Sequence, residues 1–214
     1  MSAMVSEFFA DFVCPWCFVG WRSLRAAQAL RPAYEHRTLF RPFLLRPEPG
    51  HPGVDRAAFY AARAAENPER AKAVRAALEE AAAQTGARLQ WEKPARIPPT
   101  HDAHRLLIWA AGQGRGLQAA DALFEAYFEQ GRDIGEIETL GAVAEEIGLD
   151  AALVGDLLAS EADVARVGAA HGAAAAQGVT GVPVAVFNRR AAAIGYEPPE
   201  AYAAAMDKAA AAST

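Results

Sequence analysis

Cysteine is scarce: two residues in 214 exclude a framework of disulfides, so stability must come from a packed core. No run of about 18 apolar residues is present to cross a bilayer as a helix. A block of like charge is missing too. The 21 basic and 26 acidic side chains are dispersed and sum to −5, which argues against nucleic acid or an anionic membrane as a partner. Met1 to Glu7 has neither the basic start nor the apolar stretch of a secretory signal, so the expected location is the cytoplasm. Proline and glycine, 13 and 17 residues, are too few for a collagenous or disordered chain. With 52% hydrophobic and 22% charged residues, the sequence reads as one folded chain, long enough for a domain carrying a sizeable insertion.

The hydrophobic pattern gives an order of elements. Val5 to Val13 reads as a buried strand that runs directly into Cys14-Pro15-Trp16-Cys17. A helix follows, with Pro15 tolerable in its first turn and Pro32 marking its end. His36 to Leu45 is a second strand, in which Pro42 points to an edge or a bulge. A link, Arg46 to Gly53, closes this unit. From Asp55 to about Gln177 the pattern is helical, and Thr100 is placed to cap a helix with Asp102 in its first turn. Alanine is abundant there, so the core must lean on Leu, Ile, Phe and Trp. After Gly178 to Gly181 come two short strands, Val182 to Phe187 and Ala191 to Tyr196, and a last helix from Glu200 to about Ala211. The expected class is α/β, with residues 1–50 and 178–214 forming one discontinuous domain around a helical insertion, 51–177.

Both cysteines fall in one Cys-x-x-Cys pair where a strand feeds a helix. That position sets the first sulfur beside unpaired backbone amides and the positive end of the helix dipole, which favours a thiolate at Cys14. Cys17, one turn later and facing inward, suits a resolving thiol. Three other readings compete: two inert buried cysteines, a structural disulfide, and a zinc site completed by His101 and His104. A second constellation is Thr180-Gly181-Val182-Pro183. Proline after a glycine-rich turn admits a cis Val182–Pro183 bond, which would expose the Val182 backbone to an extended peptide or a thiol substrate; an ordinary strand start is the alternative.

Together these residues resemble a known family. Asp11-Phe12-Val13-Cys14-Pro15-Trp16-Cys17, Asp102-Ala103-His104-Arg105-Leu106, Gly178-Val179-Thr180-Gly181-Val182-Pro183 and Val186-Phe187-Asn188 are similar to the DsbA family of thioredoxin-fold oxidoreductases, and within it to the FrnE-like branch. The resemblance covers roughly Val5 to Ala205. It implies a thioredoxin-like fold with a large all-helical insertion, Cys14 as nucleophile, Cys17 as resolving thiol and Pro183 as a cis proline. Pro15, Trp16, Thr180 and Val182 would face the substrate, a protein or small-molecule thiol or disulfide, glutathione among the candidates. No metal or organic cofactor is implied beyond the redox-active disulfide.

Two departures bear on substrate preference: Pro99-Thr100 stands where relatives often carry Asn-Thr, and Gly195-Tyr196-Glu197 replaces a Gly-Ala-Gln type of sequence. The same fold resembles 2-hydroxychromene-2-carboxylate isomerases and kappa-class glutathione transferases, which carry a serine where Cys14 stands. A zinc-stabilised chaperone presenting Trp16, Phe18 and Trp21 as an aromatic rim is a third reading. Asp11 shares strand parity with Glu7 and is a candidate proton relay, against a solvated or paired carboxylate. Apolar faces on the alanine-rich helices would permit a homodimer.

Overall fold

The computed structural model describes residues 2–48 and 50–212. Met1, Pro49, Ser213 and Thr214, which the expected domain boundaries and the link from Arg46 to Gly53 include, lie outside the described residues. In chain order the elements are β1 (Ser2–Ala10), α1 (Pro15–Ala29), β2 (Tyr34–Pro42), β3 (Val54–Asp55), α2 (Arg56–Glu66), α3 (Pro68–Thr85), β4 (Arg96–Ile97), α4 (His101–Gly112) and α5 (Gly116–Phe124). A π-helical turn, Glu125–Gln130, extends α5; α6 (Ile137–Glu146), α7 (Ala151–Leu158), α8 (Val164–Ala176), β5 (Val184–Phe187), β6 (Ala191–Ile194) and α9 (Pro199–Ala211) follow.

The four longer strands form one sheet in the order β2-β1-β5-β6. Strand β1 is central, and Met4, Ser6, Phe8 and Ala10 on one of its faces are fully buried. It runs parallel to β2, as a β-α-β unit requires, and antiparallel to β5. Pro42 ends β2 opposite Ala10, on an edge strand where its missing N–H costs no ladder bond. The expected second strand is thereby shifted. Beyond Pro42 the amides find other acceptors: Phe43 donates to the Ala10 carbonyl, Leu44 to His171 and Leu45 to Asp11.

Likewise β5 starts at Val184, because Pro183 has no hydrogen to donate to a ladder. Asn188 and Arg189 take φ of 47° and 56° in the turn to β6, a region that asparagine tolerates better than most residues. The Asn188 carboxamide oxygen accepts from the Val5 amide at 2.8 Å, which ties the hairpin to β1. The two-residue strands β3 and β4 pair with each other and carry too little periodicity to be read from sequence.

The larger of two core clusters among the described residues runs through the sheet and the helical segment alike, and a smaller one gathers Phe9, Phe43, Ala174, Val179 and Val184. Phe12 from the β1–α1 junction stacks on Phe40 of β2 and meets Phe124 of α5 edge-on, both at 5.0 Å between ring centres. Phe18 of α1 stacks on Phe128 in the π-helical turn at 5.3 Å. Trp21, fully buried, packs on Phe8 and donates its indole N–H to Asp121 at 2.6 Å. Arg105 is only 2% exposed, yet its guanidinium donates to the carbonyls of Leu157, Leu158, Ser160 and Ala162 and to Asp102. It thus satisfies the C-terminal carbonyls of α7. Thr100 occupies the N-cap position of α4 but its hydroxyl makes no capping bond, contrary to the sequence expectation, because its backbone (φ −108°, ψ 5°) is not extended.

Trp21 joins α1 to both the sheet and α5, so Trp21→Ala should lower unfolding stability by about 3–5 kcal/mol. Urea denaturation of the reduced protein measures this; a loss under about 1 kcal/mol would contradict the packing described.

Candidate active site

Cys14 is the N-cap residue of α1, with extended backbone (φ −88°, ψ 115°), and Pro15 fills the first helical position. Its amide donates to the Asp11 carbonyl at 3.2 Å, while its own carbonyl accepts from Cys17 at 3.0 Å and Phe18 at 3.2 Å. No acidic residue sits in the first turn of α1, so nothing there offsets the dipole near the sulfur. Cys14 is 6% exposed and Cys17 is fully buried. Both are free thiols, one helical turn apart at the start of α1. Burial pushes the Cys17 thiol well up, the hydrogen bond to Cys14 adds to this, and the Asp11 amide opposes it. Cys17 is the proton-holding member of the pair.

Pro183 reaches the same place from the other end of the chain. The Val182–Pro183 bond is cis, and the Val182 carbonyl lies 3.9 Å from the Cys14 sulfur. Gly20, one turn beyond Cys17, leaves room for this approach: a Cβ there would sit 3.2 Å from the Pro183 ring. Exposed Thr180 and half-buried Val182 line a groove of about 670 Å³ that continues along Pro183 to Ile194 and Gly195. Trp16 is half-buried and packs on Tyr196, with ring centres 5.8 Å apart. Tyr196 in turn donates to Gln84 of α3 at 3.2 Å. The departure Gly195-Tyr196-Glu197 therefore supplies one wall of the active-site mouth.

Phe18 and Trp21 stand elsewhere. Both are fully buried, so the expected aromatic rim reduces to Trp16, with Tyr196 beside it.

Asp11 and Glu7 also separate. Glu7 is held at 2.5 Å by Arg41 on the sheet face, while Asp11 lies past the end of β1 and turns inward, 1% exposed. One Asp11 carboxylate oxygen accepts from the Leu45 amide at 2.8 Å; the other lies 3.6 Å from Nε2 of the fully buried His104. That second oxygen and both His104 ring nitrogens have no hydrogen-bond partner among the described residues. His104 thus faces Asp11 and does not join His101 and the cysteines. Among the described residues no group of three or more His, Cys, Asp or Glu side chains is placed to hold a metal ion. From the sequence His104 is a candidate zinc ligand, against a solvated helix face, and a member of the family-like stretch Asp102 to Leu106; none of these places it against Asp11. The cue to its position was the Asp102-Ala103-His104-Arg105 stretch, in which Arg105 is anchored as described.

Burial and the raised Cys17 thiol predict an order of labelling. In the reduced native protein iodoacetamide should modify Cys14 first and leave Cys17 untouched until unfolding, as read by peptide mass mapping. Equal labelling of both would contradict the geometry.

A family model described as a DSBA-like thioredoxin domain matches residues 5–207. The crystal structure of a probable DsbA oxidoreductase, SCO1869 from Streptomyces coelicolor, superposes with a TM-score of 0.88 at 30% identity, covering 97% of this chain and 90% of that one. The uncharacterized protein YwbO of Bacillus subtilis is 27% identical over 144 residues, 67% of this chain and 66% of YwbO, just under two thirds of that protein. The cytosolic disulfide reductase DsbM from Pseudomonas aeruginosa, solved with GSH, shares the fold at a TM-score of 0.62 and 17% identity, over 98% of this chain and 97% of its own. No described helix is long and apolar enough to cross a membrane. With Cys14 at the N-cap position of α1, the buried Cys17 and the cis Pro183 meeting inside a match of this length, the chain belongs to the DSBA-like thioredoxin domain family.

Proposed function

We propose that this protein is a thiol-disulfide oxidoreductase of the FrnE-like branch, with Cys14 as nucleophile and Cys17 as resolving thiol. The observation that carries the reading is the asymmetry of the pair: a slightly exposed sulfur on the N-cap residue of α1 and a fully buried, proton-holding sulfur one turn inside it. In the reducing direction the Cys14 thiolate attacks one sulfur of a substrate disulfide. That bond breaks, the departing sulfur takes up a proton, and a mixed disulfide remains. Cys17 then gives its proton to a base and attacks the Cys14 sulfur; the second substrate thiol leaves and Cys14–Cys17 becomes the disulfide. Two electrons pass from the dithiol to the substrate, and the oxidising direction is the reverse. Asp11 is the base this reading assigns, since it is the buried carboxylate whose charge helps to raise the Cys17 thiol.

Pro15, Trp16, Thr180, Val182 and Pro183 form the approach for the substrate. The Val182 backbone, beside the Cys14 sulfur, is suited to pair with an extended chain or the peptide part of a small thiol. DsbM, crystallised with GSH and described as cytosolic, supports small thiols as partners and a cytoplasmic location. The glutathione isomerase or transferase reading is second, because those enzymes do not need the resolving thiol that this chain keeps at Cys17.

Reduction of insulin disulfides tests the proposal. Cys14→Ser should fall to background, and Cys17→Ser should accumulate a mixed disulfide on Cys14. Turnover retained by Cys14→Ser would sink it.

A further inference from the structure

The mechanism above uses none of the arginines that gather at one side of the site. Leu45 donates its amide to Asp11, three residues before Cys14, so Arg46 emerges directly beside the cysteine loop. Its guanidinium lies 4.9 Å from the centre of the Phe59 ring on α2, and that of Arg63, one turn further along, lies 4.8 Å from the same centre. Two cations are thereby held within about 10 Å of each other by a shared aromatic ring. Phe59 packs against Tyr60 at 5.3 Å, and the Tyr60 ring carries a third guanidinium, Arg56, at 5.0 Å. Tyr60 is within electrostatic reach of Cys14 as well as of all three arginines.

Among the described residues none of the three has a carboxylate within ion-pair distance, whereas Arg22, Arg31, Arg41, Arg88, Arg96, Arg105 and Arg132 each have one. Arg56 is buried and spends part of its donor capacity on the Trp91 carbonyl. Arg46 is half-buried beside His51, and Arg63 is exposed. In a chain of net charge −5, this leaves a local positive field at the mouth of the thiol site, with donor forks able to take a carboxylate.

We infer that Arg46 and Arg63, set on Phe59 beside the Cys14 loop, bind carboxylates of the incoming partner, so that the preferred substrate is a thiol or disulfide flanked by acidic groups. The inference rests on the exchange reading and narrows it to a substrate class. Steering by such a field acts on the second-order rate and is screened by salt.

The test is the reaction of the reduced Cys17→Ser protein with three short peptides. Each carries one cysteine activated as a 2-pyridyl disulfide, flanked by two Glu, two Gln or two Lys. Attack by Cys14 releases pyridine-2-thione, whose absorbance gives the rate. At low ionic strength the Glu peptide should react about tenfold faster than the Gln peptide and the Lys peptide slowest, with the differences shrinking as salt is raised. Arg46→Gln and Arg63→Gln, singly and together, should bring the Glu-to-Gln ratio toward one. Arg37→Gln, the same loss of charge on β2, should leave that ratio as it is. Equal rates for Glu and Gln peptides in the parent protein would overturn the inference and leave thiol exchange standing. So would a preference that survives the double substitution or is lost equally in Arg37→Gln. Release from none of the peptides would overturn the exchange reading itself and this inference with it.

Discussion

Asp11 holds the junction between β1 and α1 from three directions, and the cysteine site depends on that hold. Its carbonyl accepts the Cys14 amide, one carboxylate oxygen accepts the Leu45 amide, and the other faces the His104 ring. A carboxylate 1% exposed is costly to bury unless its oxygens are used. Here one oxygen fixes the chain leaving β2 and the other faces the equally buried His104 of α4. The sheet, the cysteine helix and the helical segment are therefore registered against one another at a single side chain. A change there would be felt in fold and chemistry together.

The two cysteines acquire different characters from this arrangement without any further group. Cys14 stands at the N-cap position of α1 and keeps 6% of its surface exposed; Cys17, one turn inward, is fully covered by the core, and burial keeps its proton on. Pro183 closes the site from the far end of the chain, and Gly20 permits the contact because any larger residue would press on the proline ring. The helical segment does not stand apart from this: Phe124 and Phe128 pack on Phe12 and Phe18, immediately around the cysteine loop. Motion of the helices relative to the sheet would disturb the wall behind Cys17.

What was legible in the sequence is what is local. Cys14 to Cys17 at a strand-to-helix junction, with a proline in the first turn, can be placed from pattern and covalent geometry alone. The helical run and the final hairpin follow from periodicity in the same way. The Thr180–Pro183 stretch left cis and trans both open, since that choice is made by packing against α1. Long-range partnerships were hidden for the same reason. His104 facing Asp11, Tyr196 against Trp16, and Arg46 sharing a ring with Arg63 join residues far apart in the chain that no local rule connects. Phe18 and Trp21 were ambiguous because an aromatic stripe beside a helix start can face outward or into a core; here Phe124 and Phe8 cover them. Strand ends were misjudged wherever a proline or a side-chain acceptor took the place of a ladder partner, as at Pro42, Leu45 and Pro183.

The central claim is that Cys14 and Cys17 cycle between dithiol and disulfide as one unit. The most direct measurement equilibrates the protein in oxidising and in reducing glutathione buffers, quenches with acid, unfolds it and counts thiols, with peptide mapping of the oxidised form. The account predicts no free thiol after oxidation, two after reduction, and one linked peptide containing both Cys14 and Cys17. Two free thiols that persist in the oxidising buffer, or glutathione retained on Cys14 while Cys17 stays free, would contradict it.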